Sequence, residues 1–159
     1  MGDFWGDDKE YKRAATGVTQ AVCCDVELQR NVEKEWQGHK KTVSQIRFKF
    51  EVPEVNSETG KRFTISAFFT ASMHEKAGLR KFLSTWLGKT ISDEEATRLK
   101  TMDFEEFKKE FLGKNALLTL IDSKDERWTN IGGISPTIAG MPPLQIVDYK
   151  PKDDGSVPF

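Results

Sequence analysis

Histidine, cysteine and tyrosine are almost missing from this chain, with two of each in 159 residues. The two histidines, His39 and His74, fall on separate stretches. Neither stands at metal-ligand spacing with a second His or Cys, so a zinc site has too few ligands. Cys23 and Cys24 are adjacent in a strand-like run, where successive side chains point to opposite faces and cannot easily bridge. Reduced thiols are the expectation, and with them a cytoplasmic setting. No apolar run approaches the length of a membrane span, and the N-terminus lacks the basic-then-apolar order of a secretory signal. The reading is a soluble, intracellular chain with no membrane partner. A phosphate-cradling glycine loop is also missing; Gly132-Gly133 reads as a strand bend. The carboxylates between Asp93 and Glu110 read as helix caps and solvated faces, not as a paired acid and base. Asp25 with Asp122 is too thin a set for a metal-dependent nuclease. No catalytic residue, no metal and no cofactor are expected.

A strong excess of either charge is missing too, since the net charge is −1. What charge there is lies unevenly. From Trp36 to Thr90 ten Lys/Arg face four Glu, a net of +6, whereas from Ile91 to Leu112 four basic residues face seven acidic ones, a net of −3. A basic middle with an acidic flank implies one positive face, or else an ordinary solvated surface.

The length suits one domain with a real core. Residues 1–16 are polar apart from Phe4 and Trp5 and read as a flexible arm that docks by those rings. Val18–Leu28 alternates as a half-buried strand, with Val22, Cys24, Val26 and Leu28 on one side and Cys23, Asp25 and Glu27 on the other. Residues 29–40 read as a polar loop holding Trp36, Gly38 and His39. Thr42–Val52 turns Ile46, Phe48, Phe50 and Val52 inward and Gln45, Arg47, Lys49 and Glu51 outward. Arg62–Met73 turns Phe63, Ile65, Ala67, Phe69 and Ala71 one way, and Thr64, Ser66, Phe68 and Thr70 the other. Short polar links make these three strands an antiparallel meander.

The period then changes. Leu79, Phe82, Leu83, Trp86 and Leu87 follow helical spacing that ends at Gly88. Ser92 with Glu95, and Asp103 with Glu106, are capping boxes for two more helices, the second bearing Phe104, Phe107 and Phe111. Two strands follow, Asn115–Asp122 and Trp128–Ser135. After a loop at 136–143, Leu144–Tyr149 reads as a short edge strand, and an acidic tail begins at Lys150.

Three strands, a helical insertion and two strands is the order of the OB-fold. That five-stranded antiparallel barrel takes oligonucleotides on its second and third strands and two loops. The expected class is therefore mainly β with helices between strands 3 and 4. The domain limits are 1–16 for the arm, 17–149 for the OB body and 150–159 for the tail. An open α+β sheet is the rival.

Single-strand binders need basic groups for the backbone and exposed rings on which bases stack. Arg47 and Lys49 share the outer phase of strand two, and Phe68 the outer phase of strand three. Trp36 lies beside Lys40 and Lys41, Arg62 opens strand three, and Arg127-Trp128 borders the last loop. These nine residues are the candidate nucleic-acid site. Trp128 and Phe68 fit a core position equally well. Phe82 and Trp86 read as core, and Arg80 and Lys81 as helix surface.

Two resemblances sharpen the reading. Ala21-Val22-Cys23, Ile46-Arg47-Phe48, Ser72-Met73-His74-Glu75-Lys76 running into Leu79-Arg80-Lys81-Phe82-Leu83, Leu112 to Leu118, and Thr129-Asn130-Ile131 with Ile134-Ser135-Pro136 resemble phage-encoded OB-fold proteins found among replication genes. Asp153-Asp154 running into Pro158-Phe159 resembles the acidic tip of bacterial single-stranded-DNA-binding proteins. The tip resemblance implies that Asp153, Asp154, Pro158 and Phe159 capture replication or recombination proteins in a basic, apolar pocket. Together they imply a protein of the host-cell cytoplasm that coats single-stranded DNA. A replication accessory protein of the helicase-loader or inhibitor type is the alternative, and an RNA-binding OB protein a third. Homo-oligomerisation is left open.

Overall fold

The computed structural model describes residues 12–151, and Trp36 by its backbone alone. The chain forms a five-stranded antiparallel sheet with three helices. The strands are β1 (Gly17–Trp36), β2 (His39–Asn56), β3 (Lys61–Thr70), β4 (Asn115–Asp122) and β5 (Thr129–Ser135). The helices, α1 (Gly78–Leu87), α2 (Asp93–Thr101) and α3 (Phe104–Phe111), fall between β3 and β4 in sequence. Sheet order is β3-β2-β1-β4-β5, and the two outer strands, β3 and β5, lie in contact. No helix among the described residues is long and apolar enough to cross a membrane.

The helices form where their caps predict. The Ser92 side chain accepts from the Glu95 amide, the Asp103 side chain accepts from the Glu106 amide, and both helices open on acidic residues that suit the positive end of the helix dipole. Gly88 closes α1 at φ 71°, where its amide meets the carbonyls of Ser84 and Thr85; a side chain is strained there. The helices lay Leu79, Leu83, Trp86, Phe107 and Phe111 onto the sheet. Phe48 of β2 sits among them, fully buried, with the rings of Phe69, Phe82, Trp86, Phe107 and Phe111 all 5.5–6.3 Å away centre to centre. Edge-on and tilted pairs at such distances add to the area they bury.

Three expectations are corrected. Residues 29–40 are not a loop. β1 runs on to Trp36 and β2 starts at His39, so the two strands form a long ribbon closed at Gln37-Gly38. Both turn residues have positive φ, 50° and 81°. That mirror-image turn matches the twist of paired strands, which allows a polar hairpin to continue. The phase of β1 is also corrected. Ala21, Cys23 and Val26 join the core, whereas Val22 and Cys24 are buried outside it. The β1–β2 register slips between Cys23 and Asp25, and one extra residue at a bulge swaps the two faces. Third, Leu144–Tyr149 is not a strand but an irregular strap.

Both cysteines are free and buried, and burial pushes the Cys24 thiol up to about 12. At the N-terminal end, Ala14 is buried and the Arg13 guanidinium meets Asp122 at 2.6 Å, so the last residues of the expected arm pack on the body. Phe4 and Trp5 lie outside the described residues.

Candidate nucleic-acid interface

β2 supplies the centre of the interface, because its alternation aims every second residue away from the aromatic core. The register puts Glu27 of β1, Arg47 of β2 and Phe68 of β3 in one cross-strand row, and Asp25, Lys49 and Ser66 in the next row on the same face. The Arg47 guanidinium lies 5.0 Å from the centre of the Phe68 ring. It donates to Ser66 Oγ at 3.0 Å and sits 3.4 Å from Glu27 Oε1. Phe68 keeps 48% of its surface exposed, large for a phenylalanine; the core alternative for it is excluded. A guanidinium stacked on an exposed ring is a pre-set cation–π pair.

Lys49 also points outward, yet its side chain is only 12% exposed. The strap covers it. Lys49 Nζ donates to the Tyr149 hydroxyl at 3.2 Å and lies 3.5 Å from Glu27 Oε1. The same hydroxyl donates to Asp25 Oδ2 at 2.6 Å, and Lys108 reaches the other oxygen of Asp25 at 3.1 Å. Burial, then the bond to Asp25, pushes the Tyr149 hydroxyl upward, so it stays protonated. Asp25, expected on an open outer face, is 3% exposed beneath the strap.

The strap is held by a second buried carboxylate. Glu51 is fully buried and accepts from the amides of Val147 at 2.8 Å, Asp148 at 3.0 Å and Tyr149 at 2.6 Å. Arg62 meets it at 3.0 Å, and donates to the Gln145 carbonyl as well. Burial works to raise the pKa of Glu51, but the bonds from Val147, Tyr149, Arg62 and Asp148 together prevail and hold it below the ordinary range. At the other end of the strap Asn115 clasps the amide and carbonyl of Leu144, and Gln20 donates to the Pro142 carbonyl.

The remaining sequence candidates spread out from this centre. Lys40 and Lys41 stand exposed near the tip of the ribbon, Lys40 within 3.5 Å of Glu33, and Trp36 pairs with His39 across the turn. Arg62 belongs to the Glu51 cluster. Arg127 and Trp128 lie on the β4–β5 turn, near the start of β1, whereas Arg47 lies opposite Glu27, ten positions after Gly17. Trp128 is 50% exposed, which removes it from the core, and its backbone carbonyl is fixed by Arg13. Asp153, Asp154, Pro158 and Phe159 lie outside the described residues.

Sequence reasoning placed Glu51 on the face of Arg47 and Lys49 but gave it no role, and it missed Glu27, Asp25 and Tyr149 as parts of this face. A signal existed for Glu51: a carboxylate between Phe50 and Val52, two residues from Lys49 on the outward side of the strand. Nothing in the sequence pointed to its partners, the nearby Arg62 and three backbone amides about a hundred residues away. A cavity of about 770 Å³ opens elsewhere, between the sheet and α2–α3, floored by Leu28, Ile46, Leu99, Met102 and Phe107; it includes none of the candidate residues. Comparison with protein-family models gives no match for this chain, and comparison with curated proteins gives none.

Proposed function

We propose that the chain is a phage-type OB-fold protein that binds single-stranded DNA and coats it during replication or recombination. In this reading its acidic tip recruits partner proteins, and it acts by binding without catalysis. The observation that carries the reading is the Arg47–Phe68 pair: a cation and a half-exposed ring, stacked on the outer face of strands two and three. Rings of that kind accept any base, and the guanidinium supplies charge for the backbone. The order β3-β2-β1-β4-β5, with the two edge strands in contact, supports an OB barrel. Lys40 and Lys41 on the ribbon and Arg127-Trp128 on the last turn extend the path along the two loops such a barrel uses.

One observation favours the accessory-protein alternative. Lys49 and Arg62 are already neutralised by Glu27 and Glu51, so the face offers fewer cations than its composition promises. Titration with single-stranded DNA, duplex DNA and RNA of equal length separates the readings. Preference for single-stranded DNA supports the proposal. Equal preference for RNA moves it to the third reading. No binding to any of the three leaves the protein-contact role.

A further inference from the structure

We propose that Tyr149, brought to this face by the strap, is a second base-stacking residue beside Phe68. The inference rests on the single-strand reading above and adds a residue from an element outside the barrel.

Two geometric facts carry it. Glu27 Oε1 holds both Arg47 and Lys49, at 3.4 and 3.5 Å, so the two cations are fixed side by side. Each brings a ring with it: Phe68 beside Arg47 and Tyr149 beside Lys49. The contacts differ in kind. Lys49 Nζ is 3.2 Å from the Tyr149 oxygen but 5.2 Å from the ring centre. It therefore meets the ring at its hydroxyl end and leaves the faces unclaimed by the cation. The ring cannot swing away, because its hydroxyl is tied to Asp25 and its amide to Glu51. A ring held at both ends stacks with little loss of rotamer freedom.

Spacing sets the ligand. Arg47 and Lys49 are two residues apart on one strand, about 7 Å. Neighbouring bases in stacked DNA are roughly 3.4 Å apart. A strand must unstack to place successive bases on both rings, which a duplex cannot do without melting.

The test uses the full chain and oligo(dT) carrying one 5-iododeoxyuridine, moved through the sequence, with irradiation and peptide mapping. Cross-links to both Phe68 and Tyr149 are expected. Tyr149→Leu should weaken single-strand binding roughly tenfold, whereas Tyr149→Phe, which keeps the ring but frees its hydroxyl end, should lose clearly less. The amides of Val147–Tyr149 should remain protected from hydrogen exchange in the complex. If Tyr149→Phe loses as much as Tyr149→Leu, the residue acts only through its grip on Asp25 and the proposal falls. Loss of amide protection on binding would mean that the strand displaces the strap, which also overturns it. Normal binding by Tyr149→Leu sinks this proposal alone; a parent protein that binds no single strand sinks the underlying reading with it.

Discussion

Phe68 shows how much one position on a strand can decide. Its register partner Arg47 faces it across β2–β3, and its exposure has no counterpart among the rings of the core. Phe68→Ala is expected to lower single-strand affinity about tenfold, read by fluorescence titration. The melting temperature should hardly move, because the ring is not in the core. A large drop in melting temperature would assign Phe68 to packing instead. Glu51 is the opposite kind of residue. It is fully buried, and its folded pKa lies below the ordinary glutamate range. The unfolded chain therefore binds a proton at higher pH than the folded one. The stabilisation is complete above the ordinary glutamate value and is lost as pH falls through the lower, folded value. The protection of the Val147, Asp148 and Tyr149 amides against hydrogen exchange, corrected for the intrinsic rate at each pH, should fall in that acid window and hold steady above it. Glu51→Gln should remove the pH dependence and cost on the order of 2 kcal/mol, since Arg62 then keeps its charge beside a neutral partner.

Among the elements, those held by local chemistry were legible. α2 and α3 start at the side chains expected, β4 spans the residues expected, and Gly88 ends α1. Periodicity also placed Arg47, Lys49 and Phe68 on the outer face. The extension of β1 and β2 was illegible because both faces of that ribbon are wet, which erases the alternation. The bulge near Cys24 was hidden because residues on both sides of it are buried, so either phase reads as core. The strap escaped because most of its anchors are main-chain amides and carbonyls, which carry no sequence signal. Since the ribbon beyond Val32 and Val43 is nearly all exposed, it can be tested as a part. Replacing residues 33–42 by Asn-Gly, which suits a two-residue hairpin turn, should leave the fold intact and weaken single-strand binding through the loss of Lys40 and Lys41. Unchanged affinity, measured by gel shift, would move the path away from the ribbon.

For the whole molecule, electrostatics give the sharpest number. Lys49 and Arg62 are tied to carboxylates and largely covered, at 12% and 19% exposed, whereas Lys41 and the ion-paired but more open Lys40 and Arg47 are the expected phosphate contacts. At roughly −0.7 per contact the logarithm of affinity should fall with that of salt at a slope of about −2. A slope near zero would favour the protein-contact role. Removing residues 152–159 should leave DNA affinity unchanged or slightly higher, because Asp153 and Asp154 compete with phosphates, while capture of a purified replication partner is lost. Truncation that abolishes DNA binding would place the tip in the DNA site. The clasp on the strap carries one more implication. Glu51 grips N–H groups that almost every amino acid possesses, so it recognises a chain path and not a spelling. At position 147 serine, lysine or alanine should serve as well as valine, whereas at 148 the Asp148 carboxylate also accepts from the Arg62 amide at 2.8 Å, so its replacement loses that bond. Proline, the one residue without that hydrogen, should undo the clasp at either place. Evolution could thus rewrite Ile146 and Val147 freely while the course of the strap over the sheet stayed the same, its spelling being fixed only at Asp148 and Tyr149.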